Sequence, residues 1–225
     1  MTDATPAAGI PTPSLRRLPQ YLRLLRAWQQ EGRQAVSCTH LAEALALDPT
    51  QVRKDLALCG VPGRPKTGYD LVELADGIAQ FLGWNNTTEA FLVGAGNLGA
   101  ALLGYEGFAR QGLSIVAAFD TDPERIGSRL AGKQVLALAR LPALAKRMHI
   151  RLGVLCVPAA AAAEAVAVML DAGITAIWNF APVRLSVPAG VIVEDVDLAQ
   201  SLAVLSHRLA ATRTRPATAD PPTPR

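Results

Sequence analysis

The segment from Phe91 to Gly99, FLVGAGNLG, has the composition and spacing of a pyrophosphate-binding turn. Its apolar start predicts a buried strand, and the G-x-G-x-x-G pattern predicts a tight turn into a helix that continues over residues 100–110. The first glycine would make the turn, the second would let backbone N–H groups approach the phosphates, and the third would let the helix pack closely on the strand. A helix N-terminus there would favour an anion. The binding residues expected in this turn are Gly94, Ala95, Gly96, Asn97, Leu98 and Gly99.

An acidic residue follows the next predicted strand, residues 113–119, about twenty residues after the last glycine of the turn. A carboxylate at this position can accept hydrogen bonds from the ribose hydroxyls of adenosine, and it would repel a 2′-phosphate. Asp120 therefore favours NAD(H) over its 2′-phosphorylated form. Asp122 is the alternative, although the Pro123 that follows it is more typical of a turn.

Two later strands end in residues that could line the other half of a dinucleotide site. Residues 152–158 and 176–178 predict strands, with an Ala-rich helix over 159–171 between them. Ligands of open α/β sheets bind at the carboxyl ends of such strands. The candidates for a nicotinamide pocket are Val157, Pro158, Asn179, Ala181 and Pro182. Ordinary loop geometry is the alternative for each of them.

The chain lacks the residues expected of an enzyme that transfers hydride. Such an enzyme needs a substrate-holding domain and usually a proton donor. None of His40, His149 and His207 follows a predicted strand, and the segment after Trp178 is too short for a catalytic domain. We therefore expect no catalytic residues, no enzymatic activity and a cofactor that is sensed rather than consumed.

An amphipathic and basic segment precedes the predicted nucleotide-binding domain. Apolar residues recur at helical spacing, and they are Leu15, Leu18, Leu22, Leu25 and Trp28. Between residues 14 and 68 the chain has nine basic and four acidic residues. Such a local excess suggests a polyanionic partner, because Lys and Arg side chains neutralise phosphates. A solvated helix surface is the alternative.

Two short helices in this segment predict a helix-turn-helix. Ser37 would cap the first helix, and Asp48 and Pro49 would begin the second after a tight connection. The N-terminal residues of such a second helix face base edges in the major groove, where Gln pairs with adenine and Arg or Lys with guanine. The residues expected to bind DNA there are Thr50, Gln51, Arg53 and Lys54.

A basic segment rich in Gly and Pro, residues 61–69, follows the second helix and is typical of the wing of a winged helix. Arg64 and Lys66 could contact phosphates or the minor groove. An ordinary surface loop is the alternative. Residues 70–82 then predict one more amphipathic helix.

Cysteine usage indicates a reducing compartment. Cys38, Cys59 and Cys156 are odd in number and far apart, which argues against a disulfide framework and for the cytoplasm. We expect them to be apolar packing residues, with a thiol sensor as the alternative. The pattern suggests neither a metal site nor a membrane span, and the N-terminus lacks the features of a secretory signal.

Together these patterns predict an α/β chain with an N-terminal winged helix-turn-helix domain and a C-terminal Rossmann domain built on a parallel sheet. The expected order is a disordered leader at 1–13, the winged helix at 14–84, a linker at 85–88, the Rossmann domain at 89–194, a C-terminal helix at 195–211 and a disordered tail at 212–225. The last helix begins near Asp197 with Gln200 in a capping-box position. Its leucine stripe could pack on its own domain or on a second subunit.

Several of these segments together resemble the Rex family of redox-sensing transcriptional repressors, from about residue 16 to residue 209. The resemblance is carried by RRLP at 16–19, QVRKDL at 51–56, VGAGNLG at 93–99, FD at 119–120 and NFAP at 179–182. It implies a homodimer that binds a palindromic operator in double-stranded DNA and senses NADH against NAD. It also implies that the C-terminal helix is exchanged between subunits, and that NADH closes the dimer and releases the DNA.

The resemblance implies roles for further residues. Arg16 would belong to the DNA-binding set, and Tyr105 would lie at the cofactor site. Arg23, Tyr105 and Asp197 would form a charge-assisted contact set that couples the two domains.

Two other functions stay open from the residues alone. A small NAD-dependent oxidoreductase with an N-terminal helical fusion would consume NADH in the presence of a carbonyl substrate. A module that binds CoA or a nucleotide, of the succinyl-CoA synthetase type, could use a similar domain. Asp120 favours a dinucleotide with free ribose hydroxyls over CoA.

Overall fold

The computed structural model describes residues 10–64 and 67–213, and within them the chain divides into two compact units. Unit 1 comprises the chain up to Thr87 together with Gly107–Leu113. Unit 2 comprises Thr88–Glu106 and the chain from Ser114 onward. The predicted leader residues 1–9 and tail residues 214–225 lie outside the described part.

Unit 1 is a small helical body with a short antiparallel strand pair. Its elements are α1 (Thr12–Gln30), β1 (Ala35–Val36), α2 (Cys38–Leu45), α3 (Pro49–Ala57), β2 (Tyr69–Asp70) and α4 (Leu71–Phe81). The first helix begins at Thr12, so its first two residues belong to the segment expected to be a leader. Ala35 pairs with Asp70, and Arg64 forms an isolated antiparallel bridge with Gly68 at the predicted wing.

The helix-turn-helix caps agree with the sequence. The Ser37 hydroxyl accepts a hydrogen bond from the backbone N–H of His40 at 3.2 Å, and the Asp48 carboxylate accepts from Thr50 and Gln51. These side chains satisfy N–H groups that have no partner within their own helices. The predicted apolar stripe of α1 packs in the core of unit 1, where Leu18, Leu22, Leu25 and Trp28 are buried and Leu15 is partly buried. Tyr21 was not part of the predicted stripe but is buried with it.

Unit 2 is built on a parallel sheet. Its strands are β3 (Thr88–Val93), β4 (Leu113–Asp120), β5 (Arg129–Leu130), β6 (Lys133–Ala137), β7 (Leu152–Leu155), β8 (Ala176–Asn179) and β9 (Ile192–Asp195). Its helices are α5 (Asn97–Leu103), α6 (Leu141–Met148), α7 (Ala159–Asp171) and α8 (Leu198–Arg213). The end of α8 thus includes Thr212 and Arg213, which were expected to begin a disordered tail.

The strand order across the described residues is β5-β6-β4-β3-β7-β8-β9. Apart from β5, which is antiparallel to β6, this order reads 3-2-1-4-5-6, the order of a Rossmann fold. The register pairs β3 with β7, β7 with β8, and β8 with β9 in parallel. The chain therefore reverses its winding beside β3, and the ends of β3 and β7 border the crevice where such folds bind ligands.

The helix after the glycine turn is shorter than predicted. A single helix was expected to run to residue 110, but α5 ends at Leu103 with Gly104 as its C-cap. A separate 3-10 helix follows at Glu106–Gln111. Gly104 explains the break, because glycine has a low helix propensity and readily ends a helix. Within the described part of the chain, no helix is both long and apolar enough to cross a bilayer.

Candidate nucleotide-binding and nucleic-acid-binding sites

The turn after β3 requires glycine at its first position. Gly94 has a φ of +100°, and its N–H donates to the carbonyl of Phe119 at 2.8 Å. A Cβ atom on Gly94 would lie 2.5 Å from the carbonyl oxygen of Cys156, at the end of β7. Both the backbone conformation and the close approach of the two strand ends therefore exclude a side chain.

The other two glycines of the turn have different surroundings. A Cβ atom on Gly99 would collide with the carbonyl oxygen of Gly94, so this residue allows α5 to pack on the turn. Gly96 is the N-cap of α5, and its Cβ would meet only the Arg125 guanidinium, at 3.6 Å. Packing within the protein thus does not demand a glycine at 96, and the open space leaves its backbone accessible to a ligand.

Asp120 ends β4 and is almost completely buried at 7% exposure. Its Oδ2 accepts from the Ala95 N–H at 2.8 Å and from Arg125 at 3.3 Å, and its Oδ1 accepts from the Thr121 and Asp122 N–H groups. Burial alone would raise the pKa of this carboxyl, but the hydrogen bonds outweigh burial and hold the pKa below its usual value. Asp120 is therefore an anion that already has donors on both oxygens.

These contacts limit the acceptor positions that Asp120 could offer to a ribose hydroxyl. A carboxylate has about four acceptor positions, and the described donors use two on each oxygen. A ribose hydroxyl would have to replace one donor, and the Arg125 side chain, which is 47% exposed, is the most displaceable. Arg125 was not predicted from the sequence, although an arginine five residues after the strand-end acid can reach back to it.

A pocket of about 600 Å³ lies within unit 2, beside the ends of β8 and β9. Among its lining residues are five that the sequence selected, namely Leu98, Asn179, Ala181, Pro182 and Asp197. Arg184 and Asp195 also line it and were missed. They belong to the loop and strand after the predicted site, where no periodic signal marked them.

The remaining nucleotide-site candidates are distributed around the turn. A second pocket of about 50 Å³ brings Gly94, Asp120 and Val157 together. Pro158 is the N-cap of α7, and Tyr105 follows α5 with 55% of its side chain exposed. Neither residue is among the lining residues of these two pockets.

Asn179 lines the larger pocket, but its polar atoms form hydrogen bonds with other residues of the protein. Its Nδ2 donates to the carbonyl of Val183 at 2.9 Å and to the carboxylate of Asp195 at 2.7 Å, and its Oδ1 accepts from the Ala181 N–H. The side chain is 1% exposed. Asn179 therefore shapes the loop after β8 and ties it to β9, while the neighbouring residues present the pocket wall.

The predicted DNA-binding residues of unit 1 are in different environments. Thr50, Arg53 and Lys54 are exposed on α3, as Arg16 is on α1. Arg64 is exposed at the wing bridge and forms a 3.7 Å ion pair with Glu73. Lys66 lies outside the described residues. Gln51 is half-buried, and its Nε2 donates to the carboxylate of Asp55 at 2.8 Å.

Asp55 was not selected from the sequence, yet it is fully buried at the contact of α1 with α3. It accepts hydrogen bonds from Arg17 at 2.6 and 2.9 Å, from the Tyr21 hydroxyl at 2.7 Å and from Gln51. Burial would raise its pKa, but the donors, Arg17 first among them, lower the pKa to about 2. One of the basic charges counted toward a polyanion partner, that of Arg17, is thus paired inside the unit.

The residues expected to couple the domains are divided between the units. Arg23 is exposed on α1 of unit 1, and Tyr105 and Asp197 belong to unit 2. The Asp197 carboxylate accepts from the Ala199 N–H at 2.8 Å at the start of α8. This contact is an N-terminal cap, consistent with the predicted helix start.

The cysteines carry free thiols, and all of them lie in the described segments. Burial raises the pKa of Cys59 to about 11 and that of Cys156 to about 12. Protonated thiols react slowly, which favours the packing interpretation for these two residues. In the described segments no group of His, Cys, Asp and Glu has an arrangement that could hold a metal ion.

Two family models match this chain. Residues 85–183 match the model described as "CoA binding domain", and residues 9–57 match the model described as "Putative DNA-binding protein N-terminus". The two matches fall on the segments that contain the glycine turn and the helix-turn-helix.

Relatives that match most of the chain indicate a more specific family than these two models do. The redox-sensing transcriptional repressor Rex of Treponema denticola is 44% identical over 193 residues, which is 86% of this chain and 92% of that protein. The crystal structure of RSP in complex with β-NAD⁺ and operator DNA has 33% identity and a TM-score of 0.85, covering 91% of this chain and 94% of that one. The RSP complex with β-NADH has 32% identity and a TM-score of 0.83, covering 92% and 97%.

Proposed function

Because this chain belongs to the Rex family of redox-sensing transcriptional repressors, we propose that it binds operator DNA through unit 1 and NAD⁺ or NADH through unit 2. As a family member it is a transcriptional repressor rather than an enzyme. The observation that carries the proposal is the near-complete match to one structure that contains both β-NAD⁺ and operator DNA. The second RSP structure, with β-NADH, supports the reduced cofactor as a ligand.

The residues of unit 2 support a dinucleotide site that extends from the glycine turn to the larger pocket. Gly96 leaves backbone accessible at the start of α5, and Asp120 with Arg125 lies beside it. Pro182 and Ala181 give the larger pocket apolar wall. Reduced nicotinamide is uncharged whereas oxidised nicotinamide is cationic, so we expect this pocket to favour NADH.

We further propose that the protein is a homodimer. Helix α8 exposes Leu202, Val204, Leu205 and Leu209, each at more than half of its possible area. A row of exposed apolar side chains is typical of an interface, and exchange of α8 with a second subunit would cover it. Two DNA-binding units in such a dimer would match a palindromic operator.

Release of DNA follows from linkage between the two ligands. NADH can shift the protein away from operator binding only by binding better to the conformation that has low DNA affinity. A tenfold loss of operator affinity corresponds to about 1.4 kcal/mol of coupling. Since the partner is operator DNA, we propose that the protein acts in the cytoplasm.

A mobility-shift assay on DNA from upstream of the chain's own gene tests the proposal. We expect the full-length protein to shift this DNA, NADH to reverse the shift, and NAD⁺ to reverse it less. A protein that binds no specific DNA, or whose DNA complex ignores NADH, would contradict the function. Steady loss of NADH absorbance with carbonyl substrates would instead favour the oxidoreductase.

The second candidate is a CoA-binding function, which one family model favours over residues 85–183. Titration calorimetry with NADH, NAD⁺ and CoA distinguishes the two. We expect NADH to bind most tightly, because a carboxylate beside the ribose site disfavours the 3′-phosphate that CoA carries on its ribose. Tighter binding of CoA would overturn the assignment of the cofactor.

A further inference from the structure

The buried carboxylate of Asp55 fixes a side chain that the proposed function directs toward DNA. Each of its oxygens accepts from two donors within the described part of unit 1. Arg17 spans both oxygens, Tyr21 donates to Oδ2, and Gln51 donates to Oδ1. Arg17 is itself held by a 3.3 Å hydrogen bond to Ser14. Arg17 and Tyr21 of α1 thus hold the carboxylate in one orientation. Gln51, four residues before Asp55 in α3, donates to this fixed carboxylate.

The chemistry of this contact determines the orientation of the Gln51 amide. An ionised carboxylate only accepts hydrogen bonds, so the atom of Gln51 that lies 2.8 Å from Asp55 must be the NH₂ group. The same charge repels the Oε1 atom, so Oε1 is the atom left to accept a hydrogen bond from another group. A free glutamine has no such preference, because its two ends can exchange by a rotation of the last torsion.

Gln51 lies in the first turn of α3, among the residues that face base edges in a helix-turn-helix. We propose that Asp55 is a positioning residue for operator recognition, which presents the Gln51 carbonyl oxygen to a base in one fixed polarity. This inference rests on the proposed function of unit 1. The base that fits carries an exocyclic amino group in the major groove, adenine N6 or cytosine N4.

The network also gives a reason for a carboxylate, rather than an apolar residue, at this buried position. A buried ion pair by itself contributes little net stability compared with apolar residues of similar size. Here the carboxylate does something that an apolar residue cannot, since it selects one orientation of an amide on the DNA-facing end of α3. The positioning role therefore predicts an effect on base preference that a purely structural role would not produce.

The test measures base preference in the full-length protein. The operator is first defined by binding to upstream DNA, and every base pair of one half-site is then substituted in turn. Gln51→Leu, which keeps the side-chain size and removes its polar atoms, should lose discrimination at one base pair by at least about fivefold. Asp55→Asn should lose discrimination at the same base pair, because an asparagine can face Gln51 as donor or acceptor and no longer imposes one polarity.

A matched control separates positioning from charge. Asp48→Asn removes the same negative charge from the same helix, but Asp48 contacts backbone N–H groups rather than the Gln51 side chain. It should strengthen or leave unchanged the binding to all sequences alike. If Asp55→Asn behaves as this control does, with base preference intact, the positioning role is wrong.

A milder variant keeps the inference testable if Asp55→Asn fails to fold. Tyr21→Phe removes one donor to Asp55 and keeps the Arg17 pair, so it should fold and show a partial loss at the Gln51 base pair. Weakened binding that is uniform over all base pairs would mean that the network is only structural, and would overturn the inference. Absence of any specific DNA binding by the unaltered protein would instead contradict the proposed function itself.

Discussion

At the scale of single residues, the three glycines of the turn after β3 differ in what a side chain would meet. At Gly94 and Gly99 a Cβ atom would collide with backbone carbonyl groups. At Gly96 the φ is −71°, which any residue adopts, and the space beyond is open. The fold therefore requires glycine at the two outer positions, whereas a ligand is the better explanation for the middle one.

This contrast makes Gly96→Val a selective change. The valine should leave the fold and operator binding intact and should block the approach of a pyrophosphate, so that NADH no longer releases the DNA. Mobility shift with and without NADH, together with NADH titration, measures both properties. Gly99→Ala is the contrasting variant, and we expect it to lower the free energy of unfolding by roughly 1–3 kcal/mol through overpacking. A Gly96→Val protein that NADH still releases from DNA would exclude this turn as the phosphate site.

At the same scale, Arg53 is exposed on α3, two residues after Gln51. We expect Arg53→Ala to weaken operator binding by roughly 1–3 kcal/mol and to leave NADH affinity unchanged. Fluorescence anisotropy with labelled operator and calorimetry with NADH measure the two affinities. Arg151→Ala, which removes an exposed charge from unit 2, is the control and should change neither by as much. An equal loss in both affinities would indicate unfolding rather than a lost DNA contact.

Residue types predicted the positions of the candidate residues in their elements better than they predicted the hydrogen bonds of these residues. The pattern selected Asp120 and Gln51, and both lie where the motifs indicate. The sequence did not reveal that Asp120 is bonded to Arg125, or that Gln51 is bonded to Asp55. Such bonds depend on side-chain directions and on packing between elements, and neither has a periodic signal along the chain.

At the scale of elements, periodicity and caps predicted the structures that are long or clearly bounded. Helix α7 has the expected bounds, Ala159–Asp171, and α3 begins after its predicted cap. The hairpin of β5 and β6 was not predicted. A strand as short as Arg129–Leu130 has too few residues for an alternating pattern. It forms because β6, which pairs with the edge of β4, in turn offers an edge to β5.

The contact between α1 and α3 should be sensitive to acid. The folded pKa of Asp55 is about 2, below its ordinary value of 3.8, so its contribution is fully present above about pH 5. It is lost as the pH falls through the folded pKa, and its full size is roughly 2 kcal/mol. We therefore expect the stability difference between the unaltered protein and Asp55→Asn to shrink between about pH 5 and pH 2.

Tryptophan fluorescence can report this effect for unit 1 alone. In a Trp178→Phe background the remaining tryptophans are Trp28 and Trp84, and both belong to unit 1. Denaturant unfolding at several pH values then gives the free energy difference between the proteins with and without Asp55. A difference that stays constant down to pH 2 would mean that the carboxylate does not stabilise the contact as an anion.

At the scale of the whole molecule, the proposed function requires that occupancy of unit 2 alters DNA binding by unit 1. Linkage demands a reciprocal effect, so operator DNA must weaken NADH binding by the same factor by which NADH weakens DNA binding. The two units form around separate cores, one built on α1 and α4 and the other on the parallel sheet. The proposed dimer would offer contacts through which the two ligands could be coupled.

The dimer itself can be tested through α8, whose apolar side chains are exposed in the single chain. Leu202 and Leu205 are 61% and 64% exposed, and aspartate at both positions would place charges in an apolar interface. We expect the double variant to sediment as a monomer and to bind the operator at least tenfold more weakly, because each monomer reaches only one half-site. Val72→Asp changes an exposed apolar residue of α4 in unit 1 and should leave the dimer intact. A double variant that sediments as the unaltered protein does would show that α8 is not the interface, and the route from cofactor to operator would have to run through other surfaces.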